Sequence, residues 1–338
     1  MAEARRPIAV LVDREGMGDV MLKVPFLRAL RRAFPNNDVW WIATHQSSMA
    51  DDQRPLFQAD VAKMITGAGL NGGTAEVWRR LRALPPFERV FDARTKISIV
   101  ALARFGLRHR GFYCCLPGYI LCDGRPPAGR RRPRGIAARM LSLVACATGR
   151  PADGSGRLEA SAAARQAALE LLPEGAVYVG IAPGSREAVK NWPIERFYAV
   201  ARNLVVRGVT PVFCLGPQEK LTGQEIEAAA PGARVFRSPP GLTAGESLDQ
   251  LIATGERFSV LLANDNGVGH LLGGAGVPVV SLFGPTDPAR WTPVAPANRV
   301  VRATDFGGDD MASIPAEAAT EAVMEMLERA RTPASAPV

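Results

Sequence analysis

The feature that most restricts the fold of this chain is an order that repeats along it: a short β-branched apolar run, a glycine-rich or polar break, then apolar residues at helical spacing. Residues 7–12 form such a run, Asp13-Arg14-Glu15-Gly16 is the break, and helical spacing follows over 20–30. Further strands are predicted at 39–43 and 89–91, then at 176–182, 210–215, 258–263 and 277–283, with helices at 193–206, 218–230 and 267–274. Apolar strands that alternate with helices make parallel sheets covered on both faces. A length of 338 residues accommodates about two such domains. The alternation pauses between about 122 and 156, where Arg, Pro and Gly surround one apolar helical segment at 136–147. The boundary is placed near 155–175, giving domains of 1–165 and 166–338. A helical pattern at 316–329 closes the chain, with the option of packing back on the first domain, and the Pro/Ala/Ser tail at 332–338 is expected to fray.

Composition removes several classes of function. Hydrophobic residues at 47% with 22% charged residues are enough for packed cores and exclude a disordered chain. No apolar run reaches the roughly 18 residues of a membrane span, and the first apolar stretch is shorter than a signal-peptide core, so a cytoplasmic protein is expected. Five cysteines without a C-x-x-C pair and three scattered histidines predict neither a disulfide framework nor a metal site. Charge is uneven: residues 1–170 hold 27 Lys+Arg against 15 Asp+Glu, net +12, while residues 171–338 hold 14 against 18, net −4. A basic half favours an anionic partner, whether a phosphorylated substrate, an anionic membrane surface or a nucleic acid. The run Gly129-Arg130-Arg131-Arg132-Pro133-Arg134 concentrates that charge, and a solvated arginine loop accounts for the run equally well. Nucleic acid is disfavoured, because only 7% of residues are aromatic and they do not interleave with the basic ones.

Tandem α/β domains bind ligands at the carboxyl ends of their strands, in the cleft between them, and the polar clusters fall at those ends. Gly16-Met17-Gly18-Asp19 joins the first strand to its helix; Asp19 is either a carboxylate offered to a ligand or a helix cap worth about 1 kcal/mol. Pro183-Gly184-Ser185-Arg186 and Lys190-Asn191-Trp192-Pro193 present a hydroxyl, a guanidinium and an ammonium, which suits a phosphate ester, although Pro193 also fits a plain helix start. Glu219 can accept hydrogen bonds from a ribose or sugar diol, or simply meet a helix dipole. Asn264-Asp265-Asn266-Gly267-Val268-Gly269-His270 combines a strand end, a polar turn and a helix start, a candidate diphosphate site. His270 by itself reads more readily as a packed helix histidine. The G-x-G-x-x-G match at 67–72 follows a poor strand and is read as a flexible loop.

With these residues assembled, the chain resembles family 9 glycosyltransferases, the bacterial lipopolysaccharide heptosyltransferase type. The resemblance rests on Gly16-Met17-Gly18-Asp19-Val20 with Pro25, on Pro183-Gly184-Ser185 with Lys190-Asn191-Trp192-Pro193, on Asn264-Asp265-Asn266-Gly267 with His270, and on Phe283-Gly284-Pro285-Thr286-Asp287-Pro288. It implies a GT-B α/β fold, two Rossmann-like domains facing across a cleft, the first binding acceptor and the second the nucleotide sugar. It also implies inverting, metal-independent transfer of a heptose from an ADP-linked donor to a hydroxyl of an anionic glycolipid, at or near the cytoplasmic membrane face and with no separate cofactor. By motif, Asp19 matches the general base and Lys190 the cation beside the donor phosphates. Gly18, Gly184, Ser185, Glu219, Asp265, Asn266, Gly267 and His270 take donor-binding places, and Arg94, Lys96, Arg108 and Arg110 are acceptor candidates by charge. The usual turn reads Asp-Thr/Ser-Gly with a larger apolar residue before the histidine. Asn266 and Gly269 depart from it, which keeps open another nucleotide sugar or a non-catalytic binding module.

Overall fold

A computed structural model describes residues 5–50, 53–127, 129, 131–216 and 219–331 and divides the chain into two compact units, 1–156 and 157–338. Among the described residues the first holds five strands: β1 (Ile8–Val12), β2 (Val39–Ala43), β3 (Lys63–Ile65), β4 (Phe87–Asp92) and β5 (His109–Cys114). All pair in parallel in the order β3-β2-β1-β4-β5. β1 lies in the middle, in register from Ile8↔Val39 to Val12↔Ala43 on one side and from Ile8↔Arg89 to Leu11↔Asp92 on the other. Each of its five residues is buried, which is why it reads as a continuous apolar run rather than an alternating one.

The second unit holds β6 (Tyr178–Ala182), β7 (Thr210–Leu215), β8 (Arg234–Arg237), β9 (Phe258–Asn264), β10 (Val279–Phe283) and β11 (Asn298–Arg302), parallel throughout, in the order β11-β10-β9-β6-β7-β8. Both sheets grow from their first strand to one side and then resume on its other side. The order in which strands are added therefore reverses between β1 and β4 and again between β6 and β9, and at such points the loops leaving the carboxyl ends diverge and open a crevice.

Local chemistry explains where elements start and stop. The helical pattern at 20–30 becomes two helices, Met17–Met21 and Val24–Ala33, because Pro25 at the second start lacks an N–H to continue the first. The helix predicted at 218–230 is shortened to Gly223–Ala229, since Thr222 accepts the Glu225 N–H at 3.2 Å and Glu225 accepts the Thr222 N–H at 2.7 Å, a reciprocal cap. The unit boundary falls at 156/157, earlier than 165/166. Leu158 N–H donates to the Gly274 carbonyl (2.8 Å), Ser161 Oγ to Asp249 (2.6 Å) and Arg165 to Glu256 (2.6 Å), so residues 157–171 belong to the second unit. The last helix, Ala316–Arg331, puts Ala319, Val323, Met326 and Leu327 into the core that contains Val260, Leu262, Val280 and Leu282 of β9 and β10.

Candidate functional site

In the first unit the loop after β1 is built on a buried ion pair. Glu15 and Lys23 are both buried, their charged groups 2.6 Å apart, and Glu15 Oε2 also accepts from Trp41 Nε1 (2.9 Å) and Ser47 Oγ (2.8 Å). Lys23 Nζ donates in addition to the Asp19 carbonyl at 3.0 Å, so the pair fixes the short helix that carries Asp19. The Asp19 side chain is half-buried, and Oδ2 accepts the Gly16 N–H at 3.1 Å. The capping geometry is thus realised, yet it occupies only one of the two carboxylate oxygens. Gly18 stands one residue earlier in the same turn, its carbonyl taken by the Leu22 N–H.

In the second unit one carboxylate ties three strand-end loops together. Asp265, just after β9, lies 3.2 Å from Lys190 Nζ of the loop after β6, accepts from Thr286 Oγ1 of the loop after β10 at 2.9 Å, and lies 3.6 Å from His270 Nε2. Burial pushes the Asp265 carboxyl up, but His270, Lys190 and Thr286 outweigh it and hold it below the usual carboxylate range. Burial likewise pulls the Lys190 ammonium down, and Asp265 and Glu187 carry it above the ordinary lysine value. Both are charged at neutral pH. The second partner of Lys190, Glu187 at 3.1 Å, has a side chain 63% exposed, and such a pair is worth at most about 1 kcal/mol, so Lys190 can exchange it for an incoming anion at small cost.

Asn266 serves the frame. Its Nδ2 donates to the carbonyls of Ala182 (3.0 Å) and Gly184 (2.6 Å), and its Oδ1 caps the following helix at Gly269 N–H (2.8 Å). That leaves the Asn266 side chain locked between the loops after β6 and β9, a role an aspartate could not fill because it has no donor. Gly269 follows from the same crowding: a β-carbon there would meet Ala263 Cβ at 3.3 Å and Asn266 Oδ1 at 3.4 Å. His270 is buried and reaches the site through Asp265. Glu219 is half-buried with its carboxylate against Gly184, where a β-carbon would collide with it, and Arg237 holds its loop by donating to the carbonyls of Gly216, Glu219 and Leu221 at 2.9–3.0 Å. Ser185 is half-buried beside them, while Pro217 and Gln218 lie outside the described residues.

The structure therefore brings Gly184, Ser185, Lys190, Glu219, Asp265, Asn266, Gly267 and His270 to one sheet edge, at the reversal between β6 and β9. The acceptor candidates do not gather in this way. Arg94 is buried and forks both ends of its guanidinium onto Asp92 (2.8 and 2.7 Å), which neutralises it within the sheet edge. Burial pulls its guanidinium down, and Asp92 carries it above the ordinary arginine value. Lys96 is exposed at the start of the helix Ile97–Gly106, at the same carboxyl edge as Asp19. Arg108 and Arg110 flank the start of β5, at the amino edge of the sheet, one strand length of roughly 17–20 Å from Asp19's edge. Arg110 pairs with Glu88 there and Arg108 holds the Leu84 carbonyl. In the arginine run, Arg132 donates to the Cys115 carbonyl, and Arg130 lies outside the described residues.

Sequence reasoning missed the Glu15–Lys23 pair, the Arg237 collar and the roles of Thr286 and Glu187. The Thr286-Asp287 turn after β10 was visible, but not its partner Asp265. The glycine loop at 67–72 does follow a strand, β3, but its N–H groups at 67, 68 and 69 are spent on the carbonyls of His45, Ala43 and Thr44, so none is offered to a phosphate. A polar cavity of about 460 Å³ lined by Arg157, Arg165, Glu256 and Phe258 opens at the amino edge of the second sheet, away from these loops, with its Arg165 and Glu256 charges paired. Among the described residues no cluster of three or more His, Cys, Asp or Glu is placed to hold a metal ion, and no helix is long and apolar enough to cross a membrane.

Two Rossmann-like units in one chain, each with polar loops at the reversal point of its parallel sheet, define the GT-B fold class. The sequence model described as glycosyltransferase family 9 (heptosyltransferase) matches residues 128–312, and the chain belongs to that family. It is 29% identical over 122 residues to the lipopolysaccharide core heptosyltransferase OpsX of Haemophilus influenzae (36% of this chain, 34% of that protein). It is 30% identical over 118 residues to lipopolysaccharide heptosyltransferase 3 of Escherichia coli (34% and 33%). The matching stretch thus spans about a third of the length of these relatives. In structure it is similar over nearly all its length to a family 9 glycosyl transferase from Veillonella parvula (TM-score 0.66, 21% identity, 97% of this chain and 99% of that one). It is similar also to ADP-heptose heptosyltransferase II of E. coli (TM-score 0.63, 19% identity, 96% and 99%), a likeness of fold.

Proposed function

We propose that this protein transfers a heptose from an ADP-activated donor to a hydroxyl of a lipopolysaccharide-core glycan, with inversion and with no metal in the chemical step. The observation that carries the reading is the Asp265 network: a buried carboxylate holds Lys190 at the reversal point of the second sheet, beside the start of the helix Gly267–Gly274. A leaving diphosphate needs positive charge fixed before the reaction begins, and a preset lysine with a helix N-terminus supplies it without reorganisation. Ser185 and the turn at 265–267 then hold the phosphates, and Glu219 the ribose hydroxyls. Membership of the family and solved relatives named for ADP-heptose support the same donor. Asn266 and Gly269, which depart from the usual turn, are accounted for by the frame and give no reason to choose a different nucleotide.

Lys190→Ala is expected to weaken ADP binding and to lower kcat by about 10²- to 10³-fold, the cost of losing one preset charge at a developing anion. A thermal-shift panel on the native protein checks donor class: ADP at 100 times its Kd adds about 2.7 kcal/mol of stability, and UDP should add far less. Equal response to UDP, or normal ADP affinity and turnover in the Lys190 variant, would remove this assignment. The basic first half fits an anionic glycolipid at the acceptor end, so its association should weaken as ionic strength rises. Arg131→Gln should cost about 1 kcal/mol, roughly fivefold, of binding to an anionic lipid surface. Salt-independent binding to anionic vesicles would leave the arginine run a solvated loop.

A further inference from the structure

The turn that leaves β5 plays no part in the site above, yet it folds two sulfurs onto one another. Cys114, the buried last residue of β5, and half-buried Cys122 hold their Sγ atoms 3.7 Å apart. The Cys114 N–H donates to Cys122 Sγ at 3.1 Å, and the single proton of the Cys114 thiol can turn either to the Ile120 carbonyl at 3.2 Å or to Cys122 Sγ. To bring residue 122 back onto residue 114, the chain passes through left-handed backbone at Gly118 (φ 63°), Tyr119 (φ 55°) and Leu121 (φ 68°). Tyrosine and leucine adopt that conformation only where their surroundings impose it, and strain of this kind collects at functional places. Here Tyr119 is anchored by its hydroxyl to Ser142 Oγ (2.9 Å) and accepts the Cys122 N–H on its carbonyl (3.2 Å). The turn stands at the carboxyl edge of the first sheet, Cys114 being the register partner of Asp92.

We propose that Cys114 and Cys122 form a redox-active dithiol that a peroxide converts to an intramolecular disulfide. The sulfurs need to approach by about 1.7 Å to reach bonding distance, within reach of side-chain rotation. The two thiols are also unequal. The hydrogen bond from Cys114 lowers the Cys122 thiol, with help from the Cys114 N–H and Arg104 against the opposing effect of burial, whereas Cys114 is pushed up by the same hydrogen bond and by its burial. Cys122 is thus the nucleophile and Cys114 the proton-bearing resolving partner. The Cys122 thiolate attacks a peroxide oxygen; the S–O bond forms, the O–O bond breaks, and the released hydroxide takes a proton to give water. The Cys114 sulfur then attacks the Cys122 sulfenic acid; the S–S bond forms, the S–O bond breaks, and the hydroxyl leaves as water with the Cys114 proton. Two electrons pass from the thiols to the peroxide. Burial pushes the other three thiols, Cys115, Cys146 and Cys214, up to about 12, so they stay unreactive while the protein is folded.

The experiment treats the full chain with hydrogen peroxide, alkylates it, and maps its peptides by mass under non-reducing conditions. The expected product is a single Cys114–Cys122 linkage that dithiothreitol reverses, with the other three cysteines alkylated only after unfolding. Cys122→Ser should abolish the linkage and slow peroxide consumption at least tenfold. Cys114→Ser should stop at a Cys122 sulfenic acid that dimedone captures. Absence of the linkage in the unsubstituted protein, a linkage between another pair, or accumulation of Cys122 sulfinic acid beside a free Cys114 overturns the proposal. None of these readouts depends on glycosyl transfer.

Discussion

Asp19→Asn should give a protein that folds and binds donor normally but turns over about 10²- to 10⁴-fold more slowly, the usual contribution of a positioned general base. A sugar hydroxyl is a poor nucleophile at neutral pH, and attack on an anomeric carbon needs a carboxylate to take its proton. Asp19 offers one. Its Oδ2 is engaged by the Gly16 N–H, which orients the group, and its backbone is pinned by Lys23. Asparagine keeps a capping oxygen for Gly16 and loses only the basicity, so the substitution separates the two uses of the side chain. Release of ADP from ADP-heptose in the presence of acceptor measures the rate, and the melting temperature with and without ADP controls for folding and donor binding. A kcat within about tenfold of the unsubstituted protein would reduce Asp19 to a cap. Loss of turnover of the unsubstituted protein in chelator would remove the metal-free step.

The second large effect is on stability. Lys23→Met strands the Glu15 carboxylate in the core with only Trp41 and Ser47 as partners, and breaking a buried pair from one side costs about 3–5 kcal/mol. The urea midpoint of the first unit, followed by tryptophan fluorescence because Trp41 touches the pair, should fall accordingly. Lys23→Met with Glu15→Gln should recover more than half of the loss, since a neutral amide oxygen still accepts from Trp41 and Ser47 without an unpaired charge. Simple additivity of the two single substitutions, within about 0.5 kcal/mol, would mean that the pair has no coupling and that the loop is held by something else.

Strands at the middle of the two sheets were legible and those at the rims were not. β1, β2, β4, β6, β7, β9 and β10 were predicted, while β3, β5, β8 and β11, the four edge strands, were missed. Edge strands meet solvent on one side, so they are short or charged: β8 begins and ends in arginine, and β11 carries Arg299 and Arg302. Without a continuous apolar run, nothing local marks them. The site divides in a similar way. The loops that hold Gly184, Lys190, Glu219 and Asp265 stood out because glycine, proline and polar residues interrupt apolar runs at a recognisable phase. Arg94, Arg108 and Arg110 were chosen by charge, and charge does not say on which edge of a sheet a residue stands or whether a carboxylate already holds it.

The sequence by itself determined the parallel α/β architecture and the strand ends at which polar groups collect. Burial on both faces of a strand demands an unbroken apolar run, and a helix start demands a break in it, and both demands are local. Only the tertiary structure decided which of those groups meet. Lys190 with Asp265 and Thr286, Asn266 with the Ala182 and Gly184 carbonyls, and Glu15 with Trp41 are separated along the chain by anything from one helix to half a domain. Such contacts form or fail over a few tenths of an ångström and some tens of degrees, a precision set by how the strands pair and the helices pack rather than by any residue's neighbours in sequence.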